Sequence, residues 1–311
     1  MSEREAALTT LSAHGLNAYF YGPKDDPFCC KRWDEPYDGP SLDALGRILQ
    51  ICRRCVLNMR YMLAPGFSIC YASQDHRARL MAKYRQVYEL GVRDFVLLLD
   101  DIPERLVHAE DVASFPSLVD AHIALCNFVW AQLGALPEPV TLTVCPTQYW
   151  GPPDGDYIVR LGRGIPHEIP MIFTGDRICS EKLTTAGARA FFEHTGHRPL
   201  YWDNYPVNDA EMVDELHIGP IFGRDGDLPD AAEGMIFNPM EFKEASMIPL
   251  ITAAHYMLDS ACYDPERSYE AAVAEVLGES YIDAMRWLNT LCYKSCLLRH
   301  GHHYRAEAPA R

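Results

Sequence analysis

Residues 95–99 form a run of five apolar residues, and two adjacent carboxylates, Asp100 and Asp101, follow the run directly. An uninterrupted apolar run of this length predicts a strand that is buried on both faces, as in a parallel sheet covered by helices. In an α/β barrel, acids at the carboxyl end of such a strand lie at the mouth where the chemistry takes place. A surface turn is the alternative, because Asp often caps a following helix. The barrel interpretation is favoured because the other strand-like segments also end in polar and aromatic residues.

Strand-like and helical segments alternate along the 311 residues, which predicts parallel strands joined by right-handed crossovers. The predicted strands lie near residues 16–21, 56–63, 93–99, 140–144, 169–173, 199–202 and 234–237. Helices are predicted near residues 3–14, 41–56, 76–91, 117–134, 182–195 and 241–259, and a Gly/Pro-rich loop is predicted after the fourth strand. An open doubly wound sheet is disfavoured because no Gly-rich phosphate loop follows any strand. The predicted fold class is therefore α/β, a (β/α)8 barrel of the TIM type.

Seven strands are one fewer than this barrel needs. The chain starts inside the first predicted helix, so the strand expected to be missing is the first, and its loss would expose two sheet edges. We expect a missing N-terminal segment or a wrongly assigned start at Met1. The alternatives are an edge covered by a partner chain, such as a homo-oligomer, or by the C-terminal helices, and a protein whose activity is impaired.

The predicted domain division is a barrel catalytic domain at residues 1–260 and a C-terminal helical extension at residues 261–311. Further helical segments near residues 266–299 are the basis for the extension. They would close the bottom of the barrel or pack beside it.

Charge and hydropathy exclude several classes of partner. The formal net charge of −15 argues against nucleic acid, because phosphate binding needs a basic surface. No apolar run approaches the roughly 20 residues that a membrane helix needs. The charged N-terminus lacks a signal-peptide core, so the predicted location is the cytoplasm.

The eleven cysteines predict reduced thiols, because an odd number without a secretion signal does not indicate a disulfide framework. Cys52 and Cys55 have the CxxC spacing, but no second pair completes a zinc pattern. Cys292 and Cys296 lie one helical turn apart, which one buried helix face explains. Neither a metal site nor a cofactor is predicted.

Six short motifs occur in one order along the chain. They are YGPKDDP (21–27), LDDI (99–102), CPTQY (145–149), TG (174–175), WDNYPVND (202–209) and FNPME (237–241). Together they resemble glycoside hydrolase family 84, the family of protein O-GlcNAcases and bacterial β-N-acetylglucosaminidases, over roughly residues 5–260. The resemblance implies a (β/α)8 barrel that removes terminal β-linked N-acetylglucosamine (GlcNAc) with retention of configuration.

Adjacent acids suit this chemistry because substrate-assisted glycosidases depart from the usual pair of facing carboxylates. In these enzymes the acetamido oxygen of the sugar attacks the anomeric carbon and forms an oxazoline. Neighbouring side chains on a strand point in different directions, so one acid can face the acetamido group and the other the glycosidic oxygen. The resemblance implies that Asp100 orients the acetamido N–H, that Asp101 is general acid and then base, and that Tyr149 steadies the acetamido oxygen. Asp101 needs a raised pKa for this role, and the charge of its neighbour acts in that direction.

The resemblance also implies a set of sugar-binding residues. These are Lys24 on the O3 side, Asp209 at O4 and O6, Asn238 at O4, Trp202 and Asn204 around the N-acetyl pocket, and Gly22 within the first motif. Carboxylate, amide and ammonium groups suit sugar hydroxyls, and an aromatic wall suits the acetyl methyl group.

The predicted function is therefore a cofactor-independent β-N-acetylglucosaminidase that acts on a GlcNAc-bearing glycan or glycoprotein. One alternative is a catalytically impaired glycan-binding protein on the same fold, which the missing strand favours. A weaker alternative is a metal-dependent hydrolase that uses Asp100 and Asp101, for which no third ligand is evident in the sequence.

Overall fold

The computed structural model describes residues 2–292. Seven parallel strands form one sheet in which each strand pairs with the next along the chain. The strands are β1 (Ala18–Tyr21), β2 (Asn58–Leu63), β3 (Asp94–Leu98), β4 (Thr141–Cys145), β5 (Met171–Phe173), β6 (Pro199–Asp203) and β7 (Gly234–Phe237). The predicted α/β barrel class and the seven strand positions are confirmed, with ends that differ by one or two residues.

Ten α-helices lie within residues 2–292. They are α1 (Ser2–Ala13), α2 (Gly39–Arg54), α3 (Gln74–Leu90), α4 (Ala109–Ser114), α5 (Leu118–Gly134), α6 (Asp156–Gly164), α7 (Thr185–Thr195), α8 (Lys243–Leu258), α9 (Pro265–Val276) and α10 (Ile282–Cys292). The sequence did not predict α4 or α6. The loop prediction after β4 was wrong in part, because the Gly/Pro-rich segment ends at Gly155, the N-cap of α6, and the helix buries Tyr157, Ile158 and Leu161.

The sheet has two apolar layers. A large cluster joins the outer faces of the strands to the helices. A second buried cluster contains only strand residues, as expected for the inside of a barrel: Met62, Val96, Cys145, Ile172, Leu200 and Ile236. Four partly buried residues pack against this inner cluster: Phe20 of β1, Leu98 of β3, Trp202 of β6 and Tyr149 in the loop after β4.

The barrel is open between β1 and β7. Within the described residues β1 pairs only with β2, and β7 pairs only with β6. The helical layer nevertheless continues across this opening, because Ala7 and Leu11 of α1 pack against the apolar cluster of α8 and α9. The structure is thus a nearly closed barrel that lacks one strand of a (β/α)8 fold.

The C-terminal helices share this apolar cluster. Tyr269 and Val273 of α9 pack with Ile248 and Ile251 of α8. The division of the chain at residue 260 stays a prediction, as does an oligomer at the open edge.

The predictions about membrane helices and about the cysteines can be compared with the described part of the chain. No helix in residues 2–292 is both long and apolar enough to cross a bilayer. The cysteines in this range are free thiols, and Cys296, which is predicted to share a helix face with Cys292, lies outside the described residues.

Candidate active site

The carboxyl ends of the strands form a common mouth. The parallel register pairs Leu63 with Leu97 and Leu98 with Cys145, so neighbouring strands end at similar heights. The nine residues predicted from the family motifs therefore all lie at this mouth. Trp202 belongs to the end of β6, and the other eight lie in the loops after β1, β3, β4, β6 and β7.

Asp100 lies just beyond β3 and is largely buried. The amide of Leu99 donates to the carbonyl of Cys145 over 2.9 Å, which continues the strand pairing up to the acid. Oδ1 of Asp100 is buried and has no hydrogen-bond partner among the described residues. Burial first, and then the charge of Asp101, raises the pKa of the Asp100 carboxyl from 3.8 to about 6.

Asp101 lies at a sharp turn and is exposed to solvent. Its φ of 52° is in the left-handed region, which Asp tolerates better than most residues. β3 ends at Leu98, before both acids, so the alternation of side chains along a strand does not set the directions of the two carboxylates, as had been expected. The turn at Asp101 instead gives the two carboxylates different surroundings.

Tyr149 connects the loop after β4 to Asp101. Its hydroxyl donates to Oδ1 of Asp101 over 3.1 Å. Burial, followed by the charge of Asp101, raises the pKa of the Tyr149 phenol. The phenol therefore keeps its proton near neutral pH and remains a hydrogen-bond donor.

Three residues predicted for the sugar site form one hydrogen-bonded unit. Oδ1 of Asn204 accepts from Nε1 of Trp202 over 3.0 Å and from Nδ2 of Asn238 over 3.1 Å. The remaining amide group of Asn204 donates to the carbonyl of Ile178 over 2.9 Å. With both ends of its amide engaged, Asn204 fixes the Trp202 indole relative to the end of β7.

Lys24 and Asp209 form an ion pair of 3.1 Å between the loops after β1 and β6. Both side chains are exposed, so the pair contributes little to stability. Burial acts to lower the pKa of the Lys24 ammonium, but the bond to Asp209 and the charges of Asp209, Asp101 and Asp100 raise it overall. The ammonium thus lies within the electrostatic field of both catalytic candidates.

Gly22 lies where the chain leaves β1 close to the inner cluster. A Cβ atom at this position would be 2.6 Å from Cε of Met62, closer than packed atoms approach. The glycine therefore allows the loop that carries Lys24 to pass directly over the barrel interior.

The sequence prediction did not include the buried ion pair of Asp203 and Arg224. The guanidinium donates to both carboxylate oxygens, over 2.6 and 2.8 Å, and both side chains are nearly inaccessible. Arg224 also donates to the carbonyls of Phe222 and Glu181, so it joins the loops after β5 and β6 beside Asn204. Asp203 stands inside the motif next to Trp202, but no sequence signal marks Arg224 as its partner.

No group of three or more His, Cys, Asp or Glu side chains within residues 2–292 is arranged to hold a metal ion. Asp100 and Asp101 therefore lack a third such ligand in the part of the chain that the structure describes.

Comparison with known proteins agrees with this geometry. A family model described as beta-N-acetylglucosaminidase matches residues 1–290. The chain belongs to this family. It is a glycoside hydrolase family 84 domain, as its motifs predicted.

Several relatives of this family 84 domain are similar over most of its length. The protein O-GlcNAcases of Rattus norvegicus and Mus musculus are each 28% identical over 260 residues, which is 82% of this chain and 28% of theirs. A solved mutant of the Thermobaculum terrenum O-GlcNAc hydrolase is 33% identical, with a TM-score of 0.93 over 96% of this chain and 65% of that one. The chain thus spans less than a third of the length of the curated relatives it matches.

Proposed function

We propose that this family 84 domain is a β-N-acetylglucosaminidase that hydrolyses terminal β-linked GlcNAc by a retaining, substrate-assisted mechanism. The observation that carries the proposal is the unpaired Oδ1 of Asp100, buried beside an exposed Asp101 that bonds to Tyr149. A buried acceptor without a donor costs free energy, which a ligand N–H would recover.

Asp100 is assigned to the acetamido group. Above pH 6 its carboxylate is ionised and can accept the acetamido N–H. This hydrogen bond increases the negative charge on the acetamido oxygen, which attacks the anomeric carbon and forms the oxazoline. The nucleophile belongs to the substrate, so the usual facing carboxylate is not required.

Asp101 is assigned to the glycosidic oxygen. As an acid it protonates the leaving oxygen, and as a base it then removes a proton from the water that opens the oxazoline. Two inversions at the same carbon give net retention. Tyr149, a donor within reach of Asp101, is assigned to the acetamido oxygen, which its hydroxyl holds in position for attack on the anomeric carbon.

The remaining motif residues are assigned to the sugar. Lys24 and Asp209 present an ammonium and a carboxylate to the ring hydroxyls, and Trp202 with Asn204 forms the wall of the N-acetyl pocket. Asn238 offers its amide to O4, and Gly22 gives the ring room beside β1. The substrate class is a GlcNAc-bearing glycoprotein or glycan, in keeping with the names of the relatives.

Hydrolysis of 4-nitrophenyl β-GlcNAc by the purified chain tests the proposal. We expect turnover that falls by about 10²–10⁴-fold in Asp101→Ala, the range for loss of a general acid. Glu104→Gln is the matched control, because Glu104 is an exposed carboxylate in the same loop after β3 and its side chain only accepts from Gln148 in the loop after β4. It should change the rate less than threefold. Equal losses in the two variants would refute the assignment of Asp101.

The acetamido step has its own test. Substrates with one, two or three fluorines on the acetyl methyl group carry a progressively weaker acetamido nucleophile, so kcat/KM should fall steeply along the series. Rates that do not depend on fluorination would exclude participation of the acetamido group.

The impaired glycan-binding protein is the second candidate, and the unpaired edges of β1 and β7 within the described residues favour it. Absence of turnover, together with GlcNAc binding measured by calorimetry, would replace the hydrolase proposal with this one.

A further inference from the structure

A chain of buried hydrogen bonds leads from helix α5 to the catalytic loops. His122 of α5 is fully buried, and each of its ring nitrogens lies 2.8 Å from a tyrosine hydroxyl. Nε2 contacts Tyr71, which lies between β2 and α3, and Nδ1 contacts Tyr157 of α6. Neither tyrosine belongs to the predicted site.

Among the described residues, the hydrogen bonds continue towards the site on the Tyr157 side of His122. The hydroxyl of Tyr157 accepts the backbone N–H of Thr147 over 3.1 Å. The Thr147 hydroxyl in turn donates to the carbonyl of Leu99 over 2.6 Å. Thr147 thereby binds the residue before Asp100 and stands two positions before Tyr149.

We propose that His122 is a positioning residue for the reaction. Through Tyr157 it fixes Thr147, and Thr147 sets the Tyr149 phenol on one side and the backbone that carries Asp100 on the other. The effects on kcat and KM expected from this role rest on the proposed hydrolase function.

The chemistry of the imidazole suits a fixed connector. Burial lowers the pKa of the His122 ring to about 3, so the ring is neutral over the working pH range. A neutral ring has one donor and one acceptor, and it can satisfy both hydroxyls at once. The two tyrosine rings also meet the imidazole edge-on, with centroids 5.0 and 6.0 Å away, which restricts rotation of the ring.

Two tyrosine variants separate positioning from simple support of the fold. Tyr71→Phe and Tyr157→Phe each remove one buried hydroxyl from the same imidazole, so similar losses of stability are expected. Tyr157→Phe also removes the acceptor of the Thr147 amide. We expect it to lower kcat at least tenfold with a KM change below threefold, whereas Tyr71→Phe should keep kcat within threefold of the original chain.

Two substitutions of His122 itself give a second, independent pair of variants to compare. The side-chain amide of Asn reaches the position of Nδ1, and that of Gln reaches the position of Nε2. His122→Asn should therefore keep the bond to Tyr157 and retain several times more kcat than His122→Gln, which keeps only the bond to Tyr71. Equal kcat in the two variants, or a larger loss in His122→Asn, would overturn the proposal.

Amide exchange of Thr147, followed by mass spectrometry, tests the same connection without turnover. We expect exchange at least tenfold faster in Tyr157→Phe and His122→Gln than in Tyr71→Phe and His122→Asn. Equal exchange in all four variants would refute the positioning role. If the amide follows this pattern while the original chain hydrolyses no β-GlcNAc, the hydrolase proposal fails and the connection through His122 stands.

Discussion

Asp100 should make the protein less stable as the pH rises. Raising the pKa of its carboxyl from 3.8 to about 6 corresponds to about 3 kcal/mol of destabilisation of the ionised form in the folded protein. Between these two values the folded protein binds more protons than the unfolded chain, so the free energy of unfolding falls with rising pH. About 2 kcal/mol of this fall should develop between about pH 4.5 and pH 7.5.

Asp100→Asn removes this dependence because its side chain has almost the same shape and no charge. Urea unfolding of both proteins across this pH range measures the effect. We expect the variant to gain about 2 kcal/mol on the original chain between pH 4.5 and pH 7.5, while its turnover of β-GlcNAc falls. In an Asp101→Asn background the gain should shrink but persist, because burial is the larger cause of the shift and remains. A stability difference that is the same at both pH values would refute the reasoning.

Three further substitutions test other parts of the structure. Lys83 is 1% exposed, and burial lowers the pKa of its ammonium from 10.5 to about 8, so the folded protein releases this proton before the unfolded chain does. Between pH 8 and 10.5 the original chain should therefore gain stability relative to Lys83→Met in urea unfolding, and parallel curves would contradict this. Arg224→Met leaves Asp203 buried without a counter-ion and should cost about 3–5 kcal/mol, most of which Asp203→Asn in the same chain should restore. Gly22→Ala places a methyl group against Cβ and Cε of Met62 and should lower the free energy of unfolding by about 1–3 kcal/mol in urea unfolding, and an unchanged stability would contradict this.

The barrel fold could be predicted from the sequence because local patterns mark its strands. Residues 95–99 are apolar enough to identify a strand buried on both faces, and the acids after it identify the mouth of the barrel. Helix α6 was missed because the Gly and Pro residues before it resemble a loop, although Tyr157 and Leu161 give it a buried face.

The site was predictable in its members but not in its geometry. Motifs identified Asp100 and Asp101, but the left-handed turn at Asp101 and the unpaired oxygen of Asp100 depend on the packed barrel. Arg224 could not be paired with Asp203 from the sequence, because it lies 21 positions further along and the residues between them carry no periodic pattern to bring the two together. Contacts between loops of this kind are set by tertiary structure.

The most direct test of the central claim, that Asp101 donates a proton to the leaving oxygen, compares leaving groups. Steady-state kcat/KM is measured for 4-methylumbelliferyl and 2,4-dinitrophenyl β-GlcNAc with the original chain and with Asp101→Ala. The dinitrophenolate departs without protonation, so the variant should lose little on this substrate and about 10²–10⁴-fold on the other. Equal losses on the two substrates would contradict the account, because Asp101 would then not be the acid.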